Sequence, residues 1–304
     1  MTDLAPPRGG TLHAIALMVG AMAAFAVADL CIKLASVTVP IGQIIAVMGG
    51  GGALLFALIA AVRGLAPVSR SMLHRAVVFR NGCEIVGTLG IVTALTLAPL
   101  STTAAILQAT PLAVTLGAAL VLGEAVGWRR WAAVTVGFGG VLVMLRPGGG
   151  VEPGAVFALV AVAGLSARDL ATRFVPAETH TLHLAISGFG SLVPAGLVVL
   201  VATGAPVRPD PQTALWLAGA VVFAAAAYGM ITLSLRMGEV SAVTPFRYSR
   251  LLFLFVLAMV VLGERPDPAT WLGAAIVVAA GLYTLWRERR AARANPLPLP
   301  LRPG

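Results

Sequence analysis

Apolar residues fall in ten stretches of roughly 20, near 11–34, 41–62, 74–97, 100–122, 128–146, 154–174, 181–203, 213–235, 241–262 and 269–287, separated by short polar breaks. At 1.5 Å of rise per residue each stretch covers about 30 Å of hydrocarbon, which predicts ten membrane-crossing helices. The period-two alternation of a strand is absent, which argues against a transmembrane barrel.

The polar interruptions repeat. A shift of 140 positions aligns Asp29-Leu30 with Asp169-Leu170, Lys33 with Arg173, Ser101 with Ser241, Val121-Leu122-Gly123-Glu124 with Val261-Leu262-Gly263-Glu264, and Trp131 with Trp271. The chain therefore reads as two homologous five-span units, 11–146 and 151–287, flanked by a tail at 1–10 and a basic, Pro-rich tail at 288–304. Five spans per unit is odd, so the second unit must sit inverted relative to the first, as in many secondary transporters. The first span could pass for a signal peptide, but its counterpart inside the chain argues for a permanent helix.

Composition agrees: of 304 residues 59% are hydrophobic and 11% charged, against about 25% charged in soluble domains, and mean hydropathy is +0.94. The net charge of +9 would suggest nucleic-acid binding in a soluble protein. Here its placement explains it. With the N-terminus inside, thirteen basic residues (Arg8, Arg63, Arg70, Arg75, Arg129, Arg130, Arg173, Arg236, Arg287, Arg289, Arg290, Arg293 and Arg302) fall on the cytoplasmic side and four (Lys33, Arg146, Arg208 and Arg265) outside. That bias predicts both termini in the cytoplasm of a bacterial inner-membrane protein. Cys31 and Cys83 lie within spans, and neither a disulfide nor a metal site is expected.

The remaining charges lie inside spans, where an ionised side chain is costly unless it meets a partner or a wet cavity. Arg247 and Arg250 sit three apart and are expected on one helix face. Arg80 and Glu84 are spaced i, i+4 and can pair. Gln108-Ala109-Thr110-Pro111 brings an amide and a helix breaker to mid-membrane. Arg168-Asp169, with Arg173, lies near the cytoplasmic end, and Asp29 is the repeat mate of Asp169. Tyr228 in the eighth span and Phe246 and Tyr248 in the ninth are the aromatic residues nearest these charges. Four arginines against Asp29, Glu84 and Asp169 leave one positive charge, which suits a ligand bearing an anionic group. Arg247, Arg250, Arg80, Glu84, Gln108, Tyr228 and Phe246 are thus the expected binding residues, with Asp29 and Asp169 coupling or gating. The alternative for the two arginines is structural: one pairs with Glu84 and the other reaches the cytoplasmic interface. His180 and His183 read as solvated surface, and Gly49–Gly52, Gly137 and Gly140 as close-packing positions.

The segments ALTLAPLSTTAAILQATPLAVTLGAALVLGEAVGWRRWAAVTVGFGGVLVMLRPG and VSAVTPFRYSRLLFLFVLAMVVLGERPDPATWLGAAIVVAAGLYTLWRERR resemble the two EamA units of the drug/metabolite transporter superfamily. The resemblance implies an all-α, ten-helix carrier with a central cavity, no cofactor and no catalytic residue. It moves a small polar metabolite (amino-acid-like, vitamin or nucleoside-like) by alternating access, as an exporter or, alternatively, as an importer of riboflavin or an S-adenosylmethionine-like molecule. The expected partners are the substrate, the bilayer and a coupling proton, with a homodimer as the assembly and no nucleic acid. A polytopic membrane enzyme and a membrane scaffold are the rivals from other classes.

Overall fold

A computed structural model describes residues 8–121, 123, 127–145, 152–176, 178–237 and 243–294. The start of the N-terminal tail, the linker at 146–151, Glu124, Ser241 and the Pro-rich end of the tail lie outside them. The elements are α1 (Arg8–Ala35), α2 (Ile41–Val62), α3 (Arg75–Leu97), α4 (Leu100–Leu107), α5 (Thr110–Val121), α6 (Trp128–Leu145), α7 (Pro153–Thr172), α8 (Thr181–Thr203), α9 (Pro211–Met237), α10 (Ser249–Val261) and α11 (Pro268–Ala294), with 3-10 turns at Arg70–Leu73 and Thr244–Tyr248.

Nine described segments are long and apolar enough to cross a membrane, counting Leu100–Val121 and Thr244–Val261 as one each, and the apolar part of α6, Trp131–Leu145, is the shorter tenth. The chain is a multi-pass, all-α membrane protein of two five-helix repeats. Its interior is built largely from alanine and glycine, while Leu54, Leu58, Val198, Val201, Leu252 and Val260 are exposed. That distribution suits helices that associate by close backbone approach in a solvent as apolar as their side chains.

The inversion is visible at one end of the bundle. Gly154, at the start of α7, packs on Ala98, just past the end of α3. Lys33, near the end of α1, donates to the same Ala98 carbonyl at 2.7 Å. The C-terminal end of α1 and the N-terminal end of its repeat mate α7 therefore share a face, so the repeats run oppositely.

The principal helix pairs cross between repeats: α1 with α9, α3 with α7, α2 with α8, and α6 with α11. The first two are one contact seen twice under the repeat operation, and the others lie across its axis. Glycines set the spacing. A Cβ at Gly42 would stand 2.3 Å from the Leu200 amide nitrogen, one at Gly164 would stand 2.4 Å from that of Gly87, and one at Gly273 would stand 2.5 Å from the Gly140 carbonyl. The glycines of the second and fifth spans thus serve packing.

The helix breaker expected at Gln108-Ala109-Thr110-Pro111 interrupts the fourth span: α4 stops at Leu107 and α5 starts at Thr110, because Pro111 cannot donate the bond that would continue α4. In the ninth span Arg247 belongs to the 3-10 turn Thr244–Tyr248, and α10 begins only at Ser249, so the two arginines sit three apart across a change of helix type. The two interruptions occupy matching places in the repeats and touch, Gln108 Nε2 donating to the Tyr248 carbonyl at 3.1 Å. Those two residues are 140 positions apart.

A charged array at the broken helices

The close contact of Gly87 with Gly164 brings the α3 and α7 backbones together, and one turn away the ionised side chains meet. Arg80 Nη2 lies 3.1 Å from Glu84 Oε2, the pair expected from the i, i+4 spacing. The other Glu84 oxygen takes Arg168 Nη1 from α7 at 3.0 Å, so Glu84 bridges the repeats. Arg80 Nη1 also donates to Asn81 Oδ1 at 3.0 Å. Arg168 turns its Nε and Nη2 to a single oxygen, Asp169 Oδ1, at 2.9 and 2.7 Å. Asp169 Oδ2 makes no hydrogen bond among the described residues. Neither Arg247 nor Arg250 pairs with Glu84, so that structural alternative does not hold.

On the opposite side of the broken helices, Arg250 Nη2 lies 2.5 Å from Asp29 Oδ2, and its guanidinium stands 5.0 Å over the Phe25 ring. Phe25 and Asp29 are four apart on α1, on one face. Arg250 Nε is buried without a partner. This pairing joins residues 221 positions apart.

Arg247 is different. It makes no hydrogen bond or ion pair among the described residues, yet lies within electrostatic reach of Asp169, Arg168 and Arg250. It is the surplus cation of the charge count. Tyr228 is half-buried and belongs to an aromatic trio with Phe56 and Phe189, at centroid separations of 5.4 and 6.2 Å. Arg80 Nη1 reaches to 2.9 Å of where a Gly188 Cβ would be, so the guanidinium lies beside the glycine that precedes Phe189. Phe246 is 37% exposed and joins no aromatic pair among the described residues.

One contributor was not legible in the sequence. Gly263 adopts φ 65°, as Gly123 does at φ 66°, a backbone region glycine enters without strain. The turn sends the Glu264 carboxylate back onto the start of α4, where it accepts from the Leu100 and Ser101 amides at 2.7 and 3.0 Å and from Ser101 Oγ at 2.7 Å. The second VLGE is thus a turn followed by a cap, and Gly123 repeats the turn. The duplication itself was the signal, since a mere stop needs no fixed acid. His180 caps α8 by accepting from the Leu182 amide at 3.1 Å, and His183 Nε2 lies 2.8 Å from the Ala66 carbonyl. Cys31 and Cys83 are free thiols. Among the described residues no three His, Cys, Asp or Glu side chains are grouped to hold a metal.

The sequence profile of the EamA-like transporter family matches residues 12–146 and 152–286. The chain is 30% identical over 194 residues to a riboflavin transporter of Rhizobium johnstonii, a match covering 62% of this chain and 63% of that one. It is 31% identical over 198 residues to a riboflavin transporter of Vibrio cholerae, covering 62% and 64%. An S-adenosylmethionine uptake transporter of Rickettsia prowazekii is 26% identical over 204 residues, covering 65% and 67%. The match thus spans less than two thirds of either riboflavin transporter. A protein of known crystal structure superposes with a TM-score of 0.64 over 91% of this chain and 98% of its own, at 19% identity, which speaks for the fold alone.

Proposed function

Since the chain belongs to the EamA-like transporter family, we propose that it is a secondary carrier that moves a small polar organic metabolite bearing an anionic group, outward across the bacterial inner membrane. The observation that supports this is Arg247: a guanidinium beside the helix breaks with no hydrogen bond or ion pair among the described residues, while Arg80, Arg168 and Arg250 are each engaged by a carboxylate. Its planar fork matches a carboxylate through two parallel bonds, which lysine cannot reproduce. The unused Asp169 Oδ2, on the same side, suits a donor on the same ligand. Tyr228, Phe189 and Phe56 offer an apolar wall on the Arg80 side of the array.

Transport proceeds by alternating access of the inverted repeats about the broken helices. The halves meet at both ends of the array, through Glu84 with Arg168 and through Asp29 with Arg250, and opening either side requires separating groups across the repeat axis. Asp29 and Asp169 are the coupling or gating carboxylates of this reading. Both termini are cytoplasmic in this reading.

Arg247→Lys tests the site. A ligand found by thermal-shift screening of the purified protein should lose affinity at least about tenfold, on the order of 1.4 kcal/mol, and unchanged affinity in a stably folded variant would remove the basis of the proposal. A second reading, import, is favoured by the uptake role named for the Rickettsia relative. Counterflow of labelled S-adenosylmethionine and riboflavin in oriented proteoliposomes decides the direction.

A further inference from the structure

The two symmetry-related aspartates have different partners. Asp29 holds Arg250, and Asp169 holds its own neighbour Arg168. The position that corresponds to Arg250 in the first repeat is Thr110, whose carbonyl accepts from Ser166 Oγ at 3.3 Å. The position corresponding to Arg247 is Leu107. Both arginines are thus additions to one repeat only, and one of them is occupied. Arg250 is fixed on one side by Asp29 and below by the Phe25 ring, with Asp29 only 4% exposed. Arg247, in the turn just before it, is open.

We propose that Asp29 sets the charge class of the ligand: by occupying Arg250 it leaves Arg247, among the described residues of the array, as the arginine without a carboxylate, so the site accepts one anionic group and turns away a second. This inference rests on the reading of Arg247 as the anion contact. Four arginines face three carboxylates in the array, so one bound negative charge closes the count. A dianion would leave an uncompensated charge in a poorly solvated site, which is costly. With Asp29 neutral, Arg250 is released from its carboxylate, and two guanidiniums three residues apart match a dianion. Asp29 acts through Arg250 and is therefore a positioning residue.

The test uses the full chain purified in detergent, with sodium acetate and sodium sulfate as mono- and dianionic probes, each titrated against sodium chloride at equal ionic strength and read as the thermal midpoint. The natural protein should respond to acetate at lower concentration than to sulfate. Asp29→Asn should invert that order, its sulfate half-point falling at least tenfold. Asp29→Asn/Arg250→Gln removes a neutral pair without stranding a charge, and it should restore the natural order. The proposal is overturned if Asp29→Asn keeps the natural order, or if the double variant stays inverted or loses its acetate preference, since Arg250 would then contact the ligand itself. The double variant carries the test alone if Asp29→Asn does not fold. Arg247→Lys separates the two claims. If it keeps the acetate response, the anion contact itself is wrong. If it loses the response while Asp29→Asn does not invert, only the selector role fails.

Discussion

Glu84 is the residue on which the α3–α7 half of the array depends, because it neutralises two arginines on different repeats. Glu84→Gln strands the buried Arg80, while Arg168 keeps Asp169, and should cost about 3 kcal/mol, seen as a drop in thermal midpoint. Asp169→Asn is expected to be mild, because Arg168 keeps Glu84. It should instead remove any dependence of transport on the proton gradient, and an unchanged pH profile in proteoliposomes would reduce Asp169 to an anchor for Arg168. At this scale the sequence was half legible. The Arg80–Glu84 pair follows from helix periodicity alone, and the surplus positive charge follows from counting. Which arginine is surplus does not, because Arg250 finds Asp29 only once α10 and α1 are packed together. Arg250 is held by Asp29 while Arg247 is not, and the backbone changes helix type between them.

The half-helix α4 is eight residues long, too short to hold its shape by backbone bonds alone. It is fixed at one end by the Glu264 cap and at the other by the Gln108 contact with the Tyr248 carbonyl. Glu264→Ala should therefore cost about 1–2 kcal/mol and lower the midpoint, with Glu264→Gln recovering part of it. Gly263→Ala should cost about 1 kcal/mol through its left-handed backbone. Outside the membrane, Asp210 starts α9 by accepting from the Thr213 hydroxyl and from the Thr213 and Gln212 amides. The Thr213 hydroxyl bond first, with the Thr213 amide after it, holds its carboxyl below the usual range. A depressed folded pKa gives stability that is complete above the unfolded value of about 4 and is lost as pH falls through the folded one. Acid titrations of the midpoint should lose that component in Asp210→Asn. Proline and the amide in Gln108-Ala109-Thr110-Pro111 announced the break in α4, whereas the cap could not be read because donor and acceptor lie 163 and 164 positions apart.

For the molecule as a whole, the positive-inside bias yields a topology that reporter fusions can check: Gly149 outside and the end of the chain, after Gly304, in the cytoplasm. The same side for both would overturn the five-plus-five arrangement of termini. The number of spans, their limits and the duplication were legible because each leaves a mark on the linear sequence, as runs of apolar length and an offset of 140. The cross-repeat pairing leaves none, since nothing in a helix's own residues says which neighbour its glycines will face.

The seam between α2 and α8 shows what that pairing entails. Gly42 meets the backbone at Gly196 and Leu200. Under the repeat operation those positions become Leu182, Phe56 and Ala60, which pack together in one apolar cluster. The same contact is thus made of bare backbone at one end of the seam and of bulky side chains at the other. The two copies of the unit are not free to drift as independent duplicates. A change that enlarges Gly42 must be answered at Gly196, a residue that is not its ancestral twin, while the true twin, Leu182, answers to Phe56. Substitutions along this chain should therefore covary across the interface rather than along the duplication, and the imprint of the original copying survives mainly where the fold asks both halves for the same turn.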